Sequence, residues 1–300
     1  MSYRIYLAAF AAIPTAVPMS SAVAARHAVS PTAIVDELIA ADRAFAAAGA
    51  GKPLAESLTP MFDADTVMPA AGVFVTGREA IAAALAANPN NAGATMKWTP
   101  VRGGVSADGA HGFTIGFFTM TAEGQPDRNG KYVAYWIKRR AGWRVAVYKR
   151  APRPDGDVSL ALMAPSLPER KLKAAKDPRV LAAYKASLDK AERDFSDLSL
   201  KIGLGPAFVE NGRPDATNLG AGPGFTIGNE KIGKDVASFN GPPIKWGPEG
   251  VIVSSTGDLG ITWGFIRPVQ PPADGRPGGG PYTTIWRRAA PDQPWRYVAE

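Results

Sequence analysis

The sequence predicts an α+β chain built as two tandem copies of one domain, each a strongly curved, mostly antiparallel sheet covered by about three helices. Three observations carry this. The phrase Gly109-Ala110-His111-Gly112-Phe113-Thr114-Ile115-Gly116-Phe117 returns, lightly altered, as Gly257-Asp258-Leu259-Gly260-Ile261-Thr262-Trp263-Gly264-Phe265, 148 residues later. Other landmarks keep nearly the same spacing: Trp98-Thr99-Pro100 with Trp246-Gly247-Pro248, Phe45 with Phe195, Tyr132 and Trp136 with Tyr282 and Trp286, and Trp143-Arg144 with Trp295-Arg296. Within each copy, helical periodicity comes first and strand alternation second. A period of this size is that of a duplicated domain, whereas a solenoid repeats over far fewer residues.

The first helix is expected where Ile34, Leu38, Ala41 and Phe45 recur at helical spacing behind Ser30-Pro31, ending near Gly49-Ala50-Gly51. A short second helix over Leu54 to Phe62 precedes Asp63-Ala64-Asp65, which carries turn chemistry. Val67 to Val75 alternates around Gly72 as a small hairpin, and a third helix opens at Gly77-Arg78 and stops before Asn88-Pro89. Four strands follow: Met96 to Val101, Gly112 to Thr121, Lys131 to Arg139 and Trp143 to Tyr148. Gly103-Gly104, Asp108-Gly109, Glu123 to Gly130 and Ala141-Gly142 are the expected turns. A curved sheet with helices over its concave side buries both apolar faces.

Residues 30–150 are thus the first domain, and the proline-rich stretch 151–177 is a linker. Residues 178–300 repeat the plan, with a helix over Val180 to Phe195 and a less apolar second helix between Gly203 and Pro214. Gly220 to Gly224 falls in the hairpin and Gly228 to Ile232 opens the third helix. Strands follow over Lys245 to Val253, Gly260 to Arg267, Pro281 to Arg288 and Trp295 to Val298. The loop Gln270 to Gly280 carries no further pattern.

Hydrophobic residues make up 46% of the 300, enough for two ordinary cores. The net charge of +7 is spread along the chain, with short clusters only at Lys138-Arg139-Arg140 and Arg170-Lys171-Leu172-Lys173, so no nucleic-acid partner is expected. Residues 1–25 look like a secretory signal peptide: Arg4, an apolar run from Ile5 to Met19, then Ala22-Val23-Ala24. The run is too short for a membrane span and is broken by Pro14 and Pro18, so no stable membrane insertion is expected after cleavage. The expected location is periplasmic or secreted. The sequence holds no cysteine, which excludes disulfides, thiolate metal sites and a cysteine nucleophile.

Together, Asp42-Arg43-Ala44-Phe45, Gly77-Arg78-Glu79-Ala80-Ile81, Trp98-Thr99-Pro100, the glycine-rich strand, Tyr132 to Trp136 and the closing Gly142-Trp143-Arg144-Val145 resemble the nuclear transport factor 2-like superfamily, in both copies. That group includes ketosteroid isomerases and polyketide cyclases. The resemblance implies two tandem cone-like domains, each with a pocket between sheet and helices. It also implies that the copies are able to pair through their sheets as an internal pseudo-dimer.

An acid in such a pocket has its pKa raised by desolvation, which suits a general base acting next to a carbonyl. The candidate proton shuttles are Asp42 and its counterpart Glu192, with His111 and Asp258 at the repeated turn. Each also has a structural reading: a carboxylate tying helix to strand, a solvated histidine, an aspartate closing a turn. Trp98, Tyr132, Tyr135, Trp246, Trp263 and Tyr282 are candidate ligand-binding aromatics, of which about two are expected to meet a cavity, because Tyr132 and Tyr135 point to opposite faces of their strand. No metal site is expected, since neither copy pairs histidine with histidine or carboxylate at ligand spacing. No cofactor is expected either, since no phosphate loop, nucleophile elbow or dinucleotide fingerprint occurs. Three readings remain open: binding of a small apolar or amphipathic molecule, a cofactor-independent lyase, isomerase or cyclase, and an envelope module using the basic surface.

Overall fold

The computed structural model describes residues 1, 29–70, 72–271 and 279–300. The expected signal peptide, His27 and the core of the loop Gln270 to Gly280 lie outside the described residues. The first half contains helices α1 (Pro31–Gly49), α2 (Leu54–Leu58) and α3 (Arg78–Ala87), with strands β1 (Phe62–Ala70), β2 (Val73–Thr76), β3 (Thr95–Val105), β4 (His111–Thr121), β5 (Arg128–Arg139) and β6 (Gly142–Pro152). The second contains α4 (Pro178–Ile202), α5 (Leu204–Asn211), β7 (Gly212–Asn218), β8 (Thr226–Ile227), α6 (Asn229–Val236), β9 (Ile244–Val253), β10 (Leu259–Pro268), β11 (Gly280–Arg287) and β12 (Arg296–Ala299). No described helix is long and apolar enough to cross a membrane.

The two sheets have the same order, β2-β1-β6-β5-β4-β3 and β8-β7-β12-β11-β10-β9. Each is antiparallel apart from one parallel pair, β1 with β6 and β7 with β12. Two α+β units of one topology therefore follow each other along the chain. Ser30 accepts from the Ala33 amide and Pro31 occupies the first turn, so α1 begins where its cap chemistry places it. Asp177 and Pro178 start α4 in the same way. The repeated glycines Gly116 and Gly264 each lie beside a tyrosine ring of the neighbouring strand, Tyr132 and Tyr282, where a Cβ would collide with ring and backbone.

Two local expectations need correction. Gly103-Gly104 is not a turn: β3 runs through it to Val105, and the chain turns at Ser106 to Gly109. These glycines serve close packing, because a Cβ at Gly103 would meet Ile39 and Val35 of α1, and one at Gly104 would meet the Phe113 ring and the Ser166 carbonyl. Asp63-Ala64-Asp65 lies within β1, although the register against β6 shifts between Phe62 and Val67. Thr66 bonds back to the Asp63 carbonyl, so the turn chemistry produces an irregular strand rather than a chain reversal.

Each half has its own core under its helices. In the first, Leu38, Leu58, Ile81, Trp98, Tyr132, Trp136 and Tyr148 cluster with four methionines. In the second, Leu188, Phe195, Ile232, Trp286 and Tyr297 do so. A third buried cluster joins the opposite faces of the two sheets: Phe113, Ile115, Val133, Tyr135 and Val147 against Leu219, Leu259, Ile261, Ile285 and Val298. The proline-rich stretch is stitched to this assembly. Met163 and Ser166 donate to the carbonyls of Val101 and Gly103, extending the β3 edge.

Candidate functional site

Asp42 and Glu192 occupy matching positions on α1 and α4, and both are fully buried. Trp98 donates through Nε1 to Asp42 Oδ1 at 2.7 Å, and Tyr132 through its hydroxyl to Oδ2 at 2.8 Å. In the second half Trp246 donates to Glu192 Oε1 at 2.6 Å, while Trp286 (2.9 Å) and the Thr262 hydroxyl donate to Oε2. Burial lifts the Asp42 pKa and pushes Glu192 up to about 7, against the pull of these donors. Both carboxyls tie helix to sheet with every oxygen engaged.

The extra methylene of glutamate has a consequence. Glu192 accepts from Trp286 as well as from Thr262, while Trp286 keeps a bond to Thr262 at 3.1 Å as Trp136 does to Thr114 at 2.8 Å. Tyr282, the counterpart of Tyr132, is then left out of the network: its hydroxyl is buried and has no hydrogen-bond partner among the described residues. It faces a cavity of about 290 Å³, walled by Leu204, Phe208, Val236, Phe239, Ile244, Trp246 and Ile266. The polar residues lining this hollow are Tyr282, Thr283, Thr284, Asn218, Glu300 and Lys149, the last supplied by β6 of the first half.

Glu300 reaches the hollow by way of a bulge. The β11–β12 register shifts between Ile285 and Trp286, as the β5–β6 register does between Tyr135 and Trp136. Val298 and Ala299 consequently both face the sheet-to-sheet cluster, and the next residue turns to the concave side. Backbone bonds between Glu300 and β7, to Leu219 and Thr217, hold it there. Asn218 donates to its Oε1 at 2.7 Å, and burial pushes the carboxyl up to about 8, with the charge of Glu192 adding to the effect. Sequence reading missed Glu300, because plain alternation places it on the same face as Val298. The equivalent residue of the first half is Tyr148, fully buried and packed in the helix-side core with Met68, Met96 and Met120.

The other sequence candidates sit elsewhere. Asp258 is buried at the contact between the halves, accepting from the Ala107 amide at 3.0 Å, from Ser254 and Thr256, and from Arg287 at 3.4 Å. Across the same contact Ser255 donates to Asp108 at 2.6 Å, so each repeated turn grips an aspartate of the other. His111 has Nδ1 3.1 Å from the Tyr135 hydroxyl, and burial pushes the imidazole down to about 4. Neither borders the hollow. Tyr132 joins the helix-side core and Tyr135 the sheet-to-sheet cluster, as strand alternation requires. Trp263 packs against the sheet-to-sheet cluster. Of the six aromatics, Trp246 and Tyr282 line the cavity. The basic run at Lys138-Arg139 is spent in ion pairs with Glu37 and Asp63.

No family model and no curated protein sequence matches the chain. Solved structures do match. A ketosteroid isomerase-like protein from Erwinia carotovora atroseptica is 16% identical over 41% of this chain and 96% of its own, with a TM-score of 0.31. A nuclear transport factor 2-like protein of unknown function from Shewanella oneidensis is 12% identical over 38% and 96%, at 0.32. A nuclear transport factor 2-like protein with a cystatin-like fold from Novosphingobium aromaticivorans is 19% identical over 39% and 80%, at 0.32. Each match spans about two-fifths of the chain. The tandem architecture itself rests on the two sheets of identical order.

Proposed function

We propose that this is a secreted or periplasmic protein whose second half binds a small, largely apolar molecule carrying one hydrogen-bond acceptor. The observation that carries the reading is the Tyr282 hydroxyl, buried without a partner among the described residues, on a tyrosine that lines an apolar hollow. Such a donor is costly to leave unmet and selects a ligand that meets it. The test uses 1-indanone and indane, two probes of nearly one shape that differ in a carbonyl. Indanone should bind more tightly by about fivefold, and Tyr282→Phe should erase that difference, as expected for one neutral hydrogen bond. Equal binding of both probes by the parent protein would refute the reading. The secreted location rests on the N-terminal sequence pattern, and cell fractionation checks it.

A second reading is favoured by Glu300. A carboxyl near neutrality in its pKa, on the same hollow as a free phenol, is the arrangement for removing a proton α to a carbonyl while the phenol steadies the developing oxyanion. On this reading indanone incubated in D2O loses its α-proton NMR signal faster with the protein than without it. Glu300→Gln should abolish the acceleration and spare binding.

A further inference from the structure

We propose that the first half carries a separate site for a small organic carboxylate, formed by Arg128 and Arg150 at a cleft of its own sheet. The cleft has a volume of about 240 Å³ and lies between β1, β4, β5 and β6. Its apolar side is Met68, Phe118 and Met120.

The two half-buried arginines differ from Arg102, Arg287 and Lys131 in their partners. Arg102 forms an ion pair with Asp215 at 2.8 Å, Arg287 meets Asp258, and Lys131 is enclosed by carbonyl oxygens. Arg150 makes no ion pair among the described residues. Its Nη1 has only the thioether sulfurs of Met120 at 3.4 Å and Met96 at 3.7 Å, with the guanidinium 5.9 Å from the Phe118 ring centroid. Thioether sulfur is a weak acceptor. Arg128 Nη2 is buried with no partner among the described residues. The Asn129 amide beside them is already committed, donating to Asp155 and accepting from Thr119.

Two guanidinium groups that share a cleft repel each other, and burial weakens the charged form of Arg150. The charge of Arg128 acts on Arg150 in that sense, adding to the desolvation that lowers its pKa. One carboxylate between them removes both penalties, because its two oxygens match the fork of a guanidinium and its charge offsets the pair. The cleft then asks for an apolar body that lies along Phe118 and the methionines. Its volume suits a single ring or a short chain. The halves would thus differ in ligand chemistry, an anion in one and a neutral acceptor in the other.

The test is titration calorimetry of the full chain with benzoate and with benzamide, its uncharged analogue. Benzoate should bind at one site and benzamide at least about tenfold more weakly, the ratio expected when charge-assisted bonds are lost. Arg150→Met and Arg128→Gln should each weaken benzoate by about tenfold or more, and Tyr282→Phe should leave it unchanged. If Arg150→Met fails to fold, Arg128→Gln and a crystal soaked in 4-iodobenzoate decide the matter. An iodine peak beside Phe118 and Met120 supports the site. An iodine peak confined to the second-half hollow, equal binding of benzamide, or full benzoate binding by both arginine variants overturns it.

Discussion

Glu300 stands in the second sheet where Tyr148 stands in the first, each turned to the concave side by a bulge after two residues that face the other sheet. The phenol of Tyr148 packs in the core of its half, and the carboxyl of Glu300 leaves room beside it. Tyr148→Ala should therefore add a hollow in the core of the first half beyond the cleft at Met68 and Met120. The expected cost is about 3–5 kcal/mol, that of truncating a large buried aromatic. Urea denaturation measures it, and a fluorescent apolar dye should find a new site in the variant.

Stability should fall as pH rises. Glu192 titrates at about 7 in the folded protein, against an ordinary value of 4.5. Between those values the folded chain keeps a proton that the unfolded chain has released, so the stabilisation is full below 4.5 and is lost as pH rises through about 7. Glu300 and Asp42, both raised, act in the same direction. Glu192→Gln removes the titrating group, and we expect it to show a flatter dependence of Tm on pH. Its amide NH2 leaves one indole N–H without an acceptor, which lowers Tm in acid buffer. An unchanged slope in scanning fluorimetry would remove Glu192 from the account.

The contact between the halves depends on Asp258. Removing it by Asp258→Ala leaves the fully buried Arg287 with only neutral partners, Ser166 and the Val105 carbonyl. A loss of about 3–5 kcal/mol is expected for an orphaned buried charge. Adding Arg287→Met should restore part of that loss, and a double-mutant cycle in urea reads the coupling.

Lys131, from β5, is buried in a ring of carbonyl oxygens on the glycine-rich segment of the second half: Leu219, Gly220 at 3.2 Å, Gly222 at 2.7 Å and Gly224 at 2.5 Å. The three glycines of that segment, Gly220, Gly222 and Gly224, have no side chains to order them, so the ammonium supplies the constraint. Lys131→Met should cost about 2 kcal/mol through unmet carbonyls. Limited proteolysis should then cut first between residues 219 and 225.

The repeat was legible because its landmarks are residues that structure demands at fixed places. Trp98 and Trp246 each bind a helix carboxyl, and Gly116 and Gly264 each make space for a tyrosine. Such needs survive changes elsewhere in the chain. Asp42 and Glu192 were visible as a pair for the same reason, but their saturation by tryptophan and hydroxyl donors was not, since it depends on strands far along the chain. Gly103-Gly104 misled because glycine serves close approach as well as turning, and only the position of α1 decides between them. Asp258 and His111 looked like site residues because a sequence does not say which face of a sheet another sheet will cover. Glu300 escaped notice because one inserted residue reverses strand parity.

The buried cluster that joins the two sheets has an evolutionary corollary. When two identical subunits associate, any substitution is made in both at once, so enlarging one pocket enlarges the other. Joining the partners in a single polypeptide breaks that obligation: one half is free to become solid and rigid while its neighbour stays open, and selection acts on each separately.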